Sequence, residues 1–524
     1  MKIPALLLLT SSLASAQVSV LTYHNNAFRT GLNPKETVLT YANVNSTSFG
    51  KLFVLAADGK VDAQPLYVPA LSIGGSNHNV VYVATEHDSV YAYDADNGAQ
   101  LWKVSLLGSG ESTSDDRGCS QVVPEIGITA TPAIDPTVGT HGTIFVVAMT
   151  KDSSGGYHHR LHALDLTTGA EQFSGPVEVQ ATYPGTGDES SNGTVTFNPA
   201  QHKERAGLVI TGGKVVTTWS SHCDFRPYTG WIISYNETTL TRASVLNVTP
   251  NGNEGAIWMT GDGPAADRQG NIYFLDANGS FDTSLNSSGA PTKSDYGQAV
   301  IKLSNTGGQL AVSDYFEMWN GPSESNSDSD LGSGGVMLLP DLQDSTGTER
   351  HLVVGAGKDE NIYVMDRDNL GKYNSTDNNV FQQWQNLNGS VFSSPAFFVR
   401  NLYYGASGDK IREFTFKNGL FTTTPVAQTT TTFAYPGATP SISANGTGNA
   451  IVWATENNST AVLHAYKALS LAELYNSSQA GSRDNFGSGN KFIAPMIANG
   501  KVYVGTQTGV GVFGLLNPGS SAKR

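Results

Sequence analysis

Cysteine is nearly absent from this 524-residue chain, which has two, Cys119 and Cys223. That excludes a Cys/His zinc framework and a disulfide-built scaffold. Charge is scarce at 15% of residues and has no basic excess, with 31 Lys and Arg against 45 Asp and Glu and a net −14. A nucleic-acid partner, which selects a basic face, is therefore not expected. No hydrophobic run approaches the roughly 20 residues of a membrane span. No Gly-x-Ser-x-Gly elbow marks a serine hydrolase. Abundant instead are 57 Gly and 22 Pro. These break helices, and with many Ser, Thr, Asn, Tyr and Val they point to an all-β protein.

The start of the chain reads as an export signal. Lys2 precedes the apolar stretch Ala5 to Leu9, and Ala14-Ser15-Ala16 is a small-x-small cleavage site before Gln17. The expected organisation is a signal over residues 1–16, one domain over 17–517 and a tail over 518–524, with a secreted, monomeric product. Twelve sequons accompany it, at Asn45, Asn192, Asn236, Asn247, Asn278, Asn286, Asn374, Asn388, Asn445, Asn457, Asn458 and Asn476. In an oxidising compartment Cys119 and Cys223 are expected to pair, the alternative being two free thiols.

One strand pattern recurs along the chain. Val80 to Thr85, then Ser89 to Asp94, then the Asn97-Gly98 turn and Leu101 to Val104 form its first clear copy. The third strand of each copy runs into a turn at Asp94, Asp165, Asn236, Ser304, Asp366, Thr415, Lys467 and Gly514, spaced 47–71 residues apart. Repeats of about 40–50 residues with four strands are propeller blades, and the longer steps are blades with inserted loops. The expected fold is an eight-bladed β-propeller, or seven-bladed if the irregular fourth copy is discounted. The last copy lacks a fourth strand, and the spare strand Phe49 to Leu55 is expected to complete it and close the ring.

At these residues the chain resembles the pyrroloquinoline-quinone (PQQ) repeat propellers, whose signature is Ala-x-Asp-x-x-Thr-Gly-x-x-x-Trp. Here Ala92-Tyr93-Asp94 leads to Asn97-Gly98 and Trp102, and Ala163-Leu164-Asp165 leads to Thr168-Gly169 and Phe173. The resemblance implies a propeller with a ligand in its central funnel. In the family's dehydrogenases that ligand is PQQ, with Ca²⁺, an Asp base and a vicinal cysteine pair. This sequence has no adjacent cysteines and no Cys-x-x-Cys-His haem site. PQQ and calcium remain an alternative, and the expected function is a cofactor-independent isomerisation, cyclisation or elimination of a small organic molecule. A non-catalytic binding or scaffold propeller is the third reading.

Candidate site residues follow from position. With the blade proline as ruler, Asp58, Glu125 and Asn192 each stand seven residues before Pro65, Pro132 and Pro199 and are expected on one rim. Two carboxylates and an amide suit Ca²⁺, and one carboxylate suits acid–base work. His222 and Asp224, with Arg226 and Tyr228, form a second group. Glu125, His222, Asp224 and Glu254 are the catalytic candidates. Asp58, Asn192, Trp258, Asp330, Lys358 and Tyr435 are the substrate-binding ones, with Phe392 as apolar wall. His24, Asn25 and Arg29 either cover one mouth of the ring or tether the N-terminus.

Overall fold

The computed structural model describes residues 17–516. The expected export signal and the tail 518–524 lie outside them. Among the described residues ten sheets form, and eight of these contain a four-stranded antiparallel run. The runs occupy residues 66–105 (sheet I), 133–178 (II), 209–247 (III), 265–317 (IV), 337–385 (V), 396–428 (VI) and 441–476 (VII). Sheet VIII joins residues 496–515 to Phe49–Ala56. All eight turn positions read from the repeat fall at or within three residues of the end of the third strand of their sheet. Continuous β-branched and aromatic strands such as Ser89–Asp94 and Trp231–Asn236 are buried along almost their whole length, as sheets covered on both faces require.

Apolar layers join each sheet to the next. A further layer joins sheet VIII to sheet I, where Val81 and Tyr91 share it with Tyr503 and Val512. The turn signature explains how neighbours dock. Gly169 has positive φ, and a Cβ there would lie 2.8 Å from the Trp102 ring of sheet I. The Trp102 indole also donates to Leu166 O at 3.1 Å, fixing sheet I on sheet II.

The two chain ends meet as the sequence implies. Phe49–Ala56 pairs antiparallel with Gly509–Leu515, from Phe49 opposite Leu515 to Ala56 opposite Gly509. Upstream of that strand the chain makes a cap. Val20 exchanges hydrogen bonds with Tyr67 of sheet I, and the carbonyls of Leu21, Ala27, Phe28, Thr30 and Gly31 accept from Ile134, Ala266, Leu338, Phe397 and Ile442. These donors belong to the innermost strands of sheets II, IV, V, VI and VII. Thr22 and Arg29 donate to Leu208 O beside sheet III, and Asn33 donates to Ile497 O of sheet VIII. One segment, residues 20–33, thus engages every one of the eight sheets. Of the two readings of His24, Asn25 and Arg29, the structure favours the cover. Both His24 and Arg29 are buried in it.

Two sequons are corrected by burial. Asn247 donates to Thr229 Oγ1 and Asn278 to Asp328 Oδ1, each at 2.8 Å, and neither side chain has room for a glycan. Peptide-level mass spectrometry is expected to find both unmodified, with glycans confined to exposed sites such as Asn192, Asn374, Asn388 and Asn445. A glycan on Asn247 contradicts the fold at sheet III.

Candidate functional site

The proline ruler holds at six sheets. Pro65, Pro132, Pro264, Pro395, Pro440 and Pro495 each stand two residues before the inner-strand residue that meets the cap. Ala206 and Val336 take the equivalent places in sheets III and V. Pro199 does not, standing nine residues before Leu208 with the strand His202–Glu204 between them. Asn192 sits exposed on a hairpin formed by the strands Ser190–Ser191 and Thr194–Thr196.

Three residues before these positions lies a different set: Asp62, Lys203, Ser333, Phe392 and Phe492. All five line one cavity of about 300 Å³. Each stands five residues upstream of its cap contact, so cavity and cap occupy opposite ends of the inner segments. One wall is aromatic, with Trp258, Phe392, Tyr435 and Phe492. Tyr435 packs edge-on to both Phe392 and Phe492. Lys203, Arg205 and Lys491 form a cationic side. Asp224, Asp328, Asp330 and Lys358 form a mixed one.

Of the sequence candidates, Asp224, Trp258, Asp330, Lys358 and Tyr435 come together here. Asp224 Oδ1 accepts from the Tyr228 hydroxyl at 2.7 Å, the Trp258 indole at 3.2 Å and Ser221 Oγ at 3.3 Å, which fixes its orientation. Asp330 is only 3% exposed and lies 2.6 Å from the Lys358 ammonium, which also reaches Asp328 at 2.6 Å. Burial pushes the Asp330 carboxyl up, Lys358 pulls it back, and the balance stands at about 6.

The other candidates lie outside the cavity lining. Asp58 accepts from Ser89 and Thr85 and pairs with Lys103. Glu125 pairs with His87 and accepts from Thr113. Both carboxylates therefore serve local loop structure, and the expected three-residue rim does not form. His222 is buried behind the wall, where desolvation, aided by the Lys203 charge, lowers it to about 2 and keeps it neutral. Glu254 bridges to Gly279 and Thr229 beside a separate polar cleft with Asp282 and Asp295, and burial raises its carboxyl. Sequence reasoning missed Asp62, Lys203, Arg205, Lys491 and Phe492. The same proline ruler at an offset of three would have found two of them, Asp62 and Phe492.

Cys119 and Cys223 form the disulfide, across 104 residues of sequence. It fastens the loop carrying Gln121 and Val122 to the loop carrying Asp224, and Cys223 itself lines the cavity. Replacing both cysteines by serine is expected to cost about 2–4 kcal/mol in denaturant unfolding, because a long loop is released in the unfolded chain. An unchanged midpoint contradicts that role.

The donor set does not fit Ca²⁺. A calcium cage needs six to eight oxygens, yet the acidic pair Asp328 and Asp330 already shares one ammonium. The cavity's remaining carboxylates, Asp62 and Asp224, are held by Asn490 and by the Tyr228–Trp258 donors. Among the described residues the one convergent group of three acid or His ligands, Asp341, Glu349 and His351, lies on the outer surface away from the cavity. The cavity offers cations and rings, which suit an organic anion.

A PQQ-type family profile described as outer membrane protein assembly factor BamB matches residues 69–217. The fold is similar to quinohemoprotein alcohol dehydrogenase from Comamonas testosteroni, at 14% identity, TM-score 0.63, and coverage of 95% of this chain and 81% of that one. It is also similar to a europium-containing methanol dehydrogenase, at 13% identity, TM-score 0.60, and coverage of 93% and 89%. No curated protein matches the chain. Among the described residues no helix is long and apolar enough to cross a membrane. The strand repeat, the profile match over residues 69–217 and the shared fold are consistent with the PQQ-like repeat propeller family.

Proposed function

We propose that residues 17–517 form one eight-bladed, closed propeller, exported and glycosylated, whose uncapped funnel binds a small organic molecule and transforms it by proton transfer. The observation that carries the reading is Asp330, a buried carboxyl 2.6 Å from the Lys358 ammonium in a cavity with one wall of four aromatic side chains. A group with a pKa close to the working pH is suited both to take and to return a proton. Asp330 acts as the base, and the Lys358 ammonium that holds it also stabilises the negative charge that proton removal leaves on the bound molecule until the proton is returned. The rings orient a planar substrate. Isomerisation, cyclisation or elimination needs nothing more from the protein. The dehydrogenase alternative is not favoured, because the funnel lacks an oxygen cage for the metal ion. A scaffold role is supported by the assembly-factor profile over residues 69–217, but it leaves the buried Asp330 and the aromatic cavity without a use.

The test starts from native mass spectrometry of the secreted protein before and after denaturation, which identifies the retained molecule. Its turnover is then followed against pH. The rate is expected to rise as Asp330 ionises, with a midpoint at about 6. The Lys358 charge favours the ionised carboxylate, so Lys358→Met moves that midpoint upward by about 1 unit or more. Asp330→Asn lowers turnover about 10²-fold or more with an unchanged thermal midpoint. A profile untouched by both substitutions overturns the assignment.

A further inference from the structure

We infer that the cationic side of the funnel, Lys203, Arg205 and Lys491, is a binding subsite for the carboxylate or phosphate group of an aromatic ligand. The inference deepens the funnel-binding reading and rests on it, since it names the class of molecule bound.

The first observation is an unsatisfied cation. Arg205 is 5% exposed, and its Nη1 is buried without a hydrogen-bond partner. Its guanidinium lies flat enough on the Phe492 ring to stand 4.9 Å from the centroid, and both residues line the cavity. A buried guanidinium normally spends its donors on acceptors, and leaving one unpaired is costly. The second observation is Lys203. It is 4% exposed, it lines the same cavity, and its ammonium has no hydrogen-bond partner among the described residues. Burial lowers it to about 8, with Glu86 and Asp62 pulling it back and Arg205 and Lys491 adding repulsion. Lys491 reaches only Gln121 Oε1, at 3.0 Å, and stands over Phe492 and Tyr435.

The surrounding charge does not cancel these three. Asp62 is the acid lining this side, and it is occupied by Asn490. Glu86 lies behind Asp62, and burial together with Asp62 pushes it towards the protonated form. Lys60 adds to the positive field. Three cations thus converge on one carboxylate. A bound anion supplies the missing acceptor and relieves the repulsion among them. The Phe492 and Tyr435 rings beside it fit a flat ligand body, so the anionic group and an aromatic body are read together.

The experiment is calorimetric titration of the full secreted chain with benzoate, with its neutral isostere benzamide, and with inorganic phosphate. Benzoate is expected to bind once per chain and at least tenfold more tightly than benzamide. Arg205→Gln and Lys491→Met each weaken benzoate at least tenfold while leaving benzamide unchanged, and Lys491→Arg restores it. Lys491 is only half-buried, so its variants keep the test alive if Arg205→Gln fails to fold. Phosphate binding without benzoate binding assigns the subsite to phosphate groups, and the reverse assigns it to carboxylates. Binding of neither anion, or equal affinity for benzoate and benzamide, overturns the inference. Tyr435→Ala separates it from the parent reading, being expected to weaken benzoate and benzamide alike. If Tyr435→Ala leaves benzoate untouched while Arg205→Gln abolishes it, the anion subsite stands and the aromatic funnel fails.

Discussion

Replacing Arg29 by methionine is expected to destabilise the protein by about 5 kcal/mol, read as a shift in the denaturant midpoint. The Arg29 guanidinium is fully buried under the cap. It donates to Thr22 Oγ1 at 2.7 Å, Tyr23 O at 2.8 Å, Pro264 O at 3.0 Å and Leu208 O at 3.2 Å. Two of these acceptors belong to the cap and two to the ends of sheets III and IV, so one side chain ties the segment to the ring. Each acceptor left dry costs about 1–3 kcal/mol. Asp262, buried beside it and already pushed up to about 7 by desolvation, loses the charge that holds it down. Arg29→Lys is expected to recover little, because a compact ammonium with three donors cannot reproduce the planar fork. A loss below about 1 kcal/mol would mean that residues 20–33 are only a tether.

Phe49→Ala is the second large effect, at about 4 kcal/mol. Phe49 opens the strand that joins the two chain ends, and it is completely buried. Its ring stands 5.0 Å edge-on from Tyr475, 5.4 Å from Trp453 and 6.3 Å from Phe513. Truncation leaves a cavity in the layer between sheets VII and VIII, and pairing in sheet VIII no longer has its anchor. Besides the midpoint, native-state hydrogen exchange is expected to quicken in both Phe49–Ala56 and Gly509–Leu515, which share one ladder. Faster exchange on one side alone would contradict the pairing of the chain ends in a single cooperative sheet.

The architecture was readable because it is periodic. Each third strand is largely apolar or alternating and ends at a turn, so Asp94, Asp165 and the six later positions stand out. The spare strand at Phe49 was legible as a deficit, since sheet VIII has only three strands of its own. The site was less legible because its residues obey a spatial register that insertions disturb. Pro199 looks like a blade proline, but the extra strand His202–Glu204 separates it from the inner strand of sheet III, which takes its register from Ala206. Glu125 carries no sign in the sequence that His87 will engage it. His222 stands next to the wall residue Cys223 yet turns away from the cavity. Arg29 reads as an ordinary surface cation until sheets III and IV bring two carbonyls to it. Lys203 and Arg205 stand in the run His202-Lys203-Glu204-Arg205, which alternates charge as a solvated strand would, and only burial marks them as interior.

The proposed arrangement has the N-terminal segment, residues 20–33, across one end of the eight sheets and the ligand at the other end. Hydrogen exchange of the intact protein, with and without benzoate, tests it most directly. The account predicts that the amides of Tyr67, Ile134, Ala266, Leu338, Phe397 and Ile442, which donate to the cap, exchange only through global unfolding in both conditions. Benzoate should slow local exchange in the loops around Gln121, Asp224 and Lys491, and slow those six amides only by the common factor that ligand binding adds to global stability. Fast exchange at the six amides, or slowing there beyond that common factor, would contradict it.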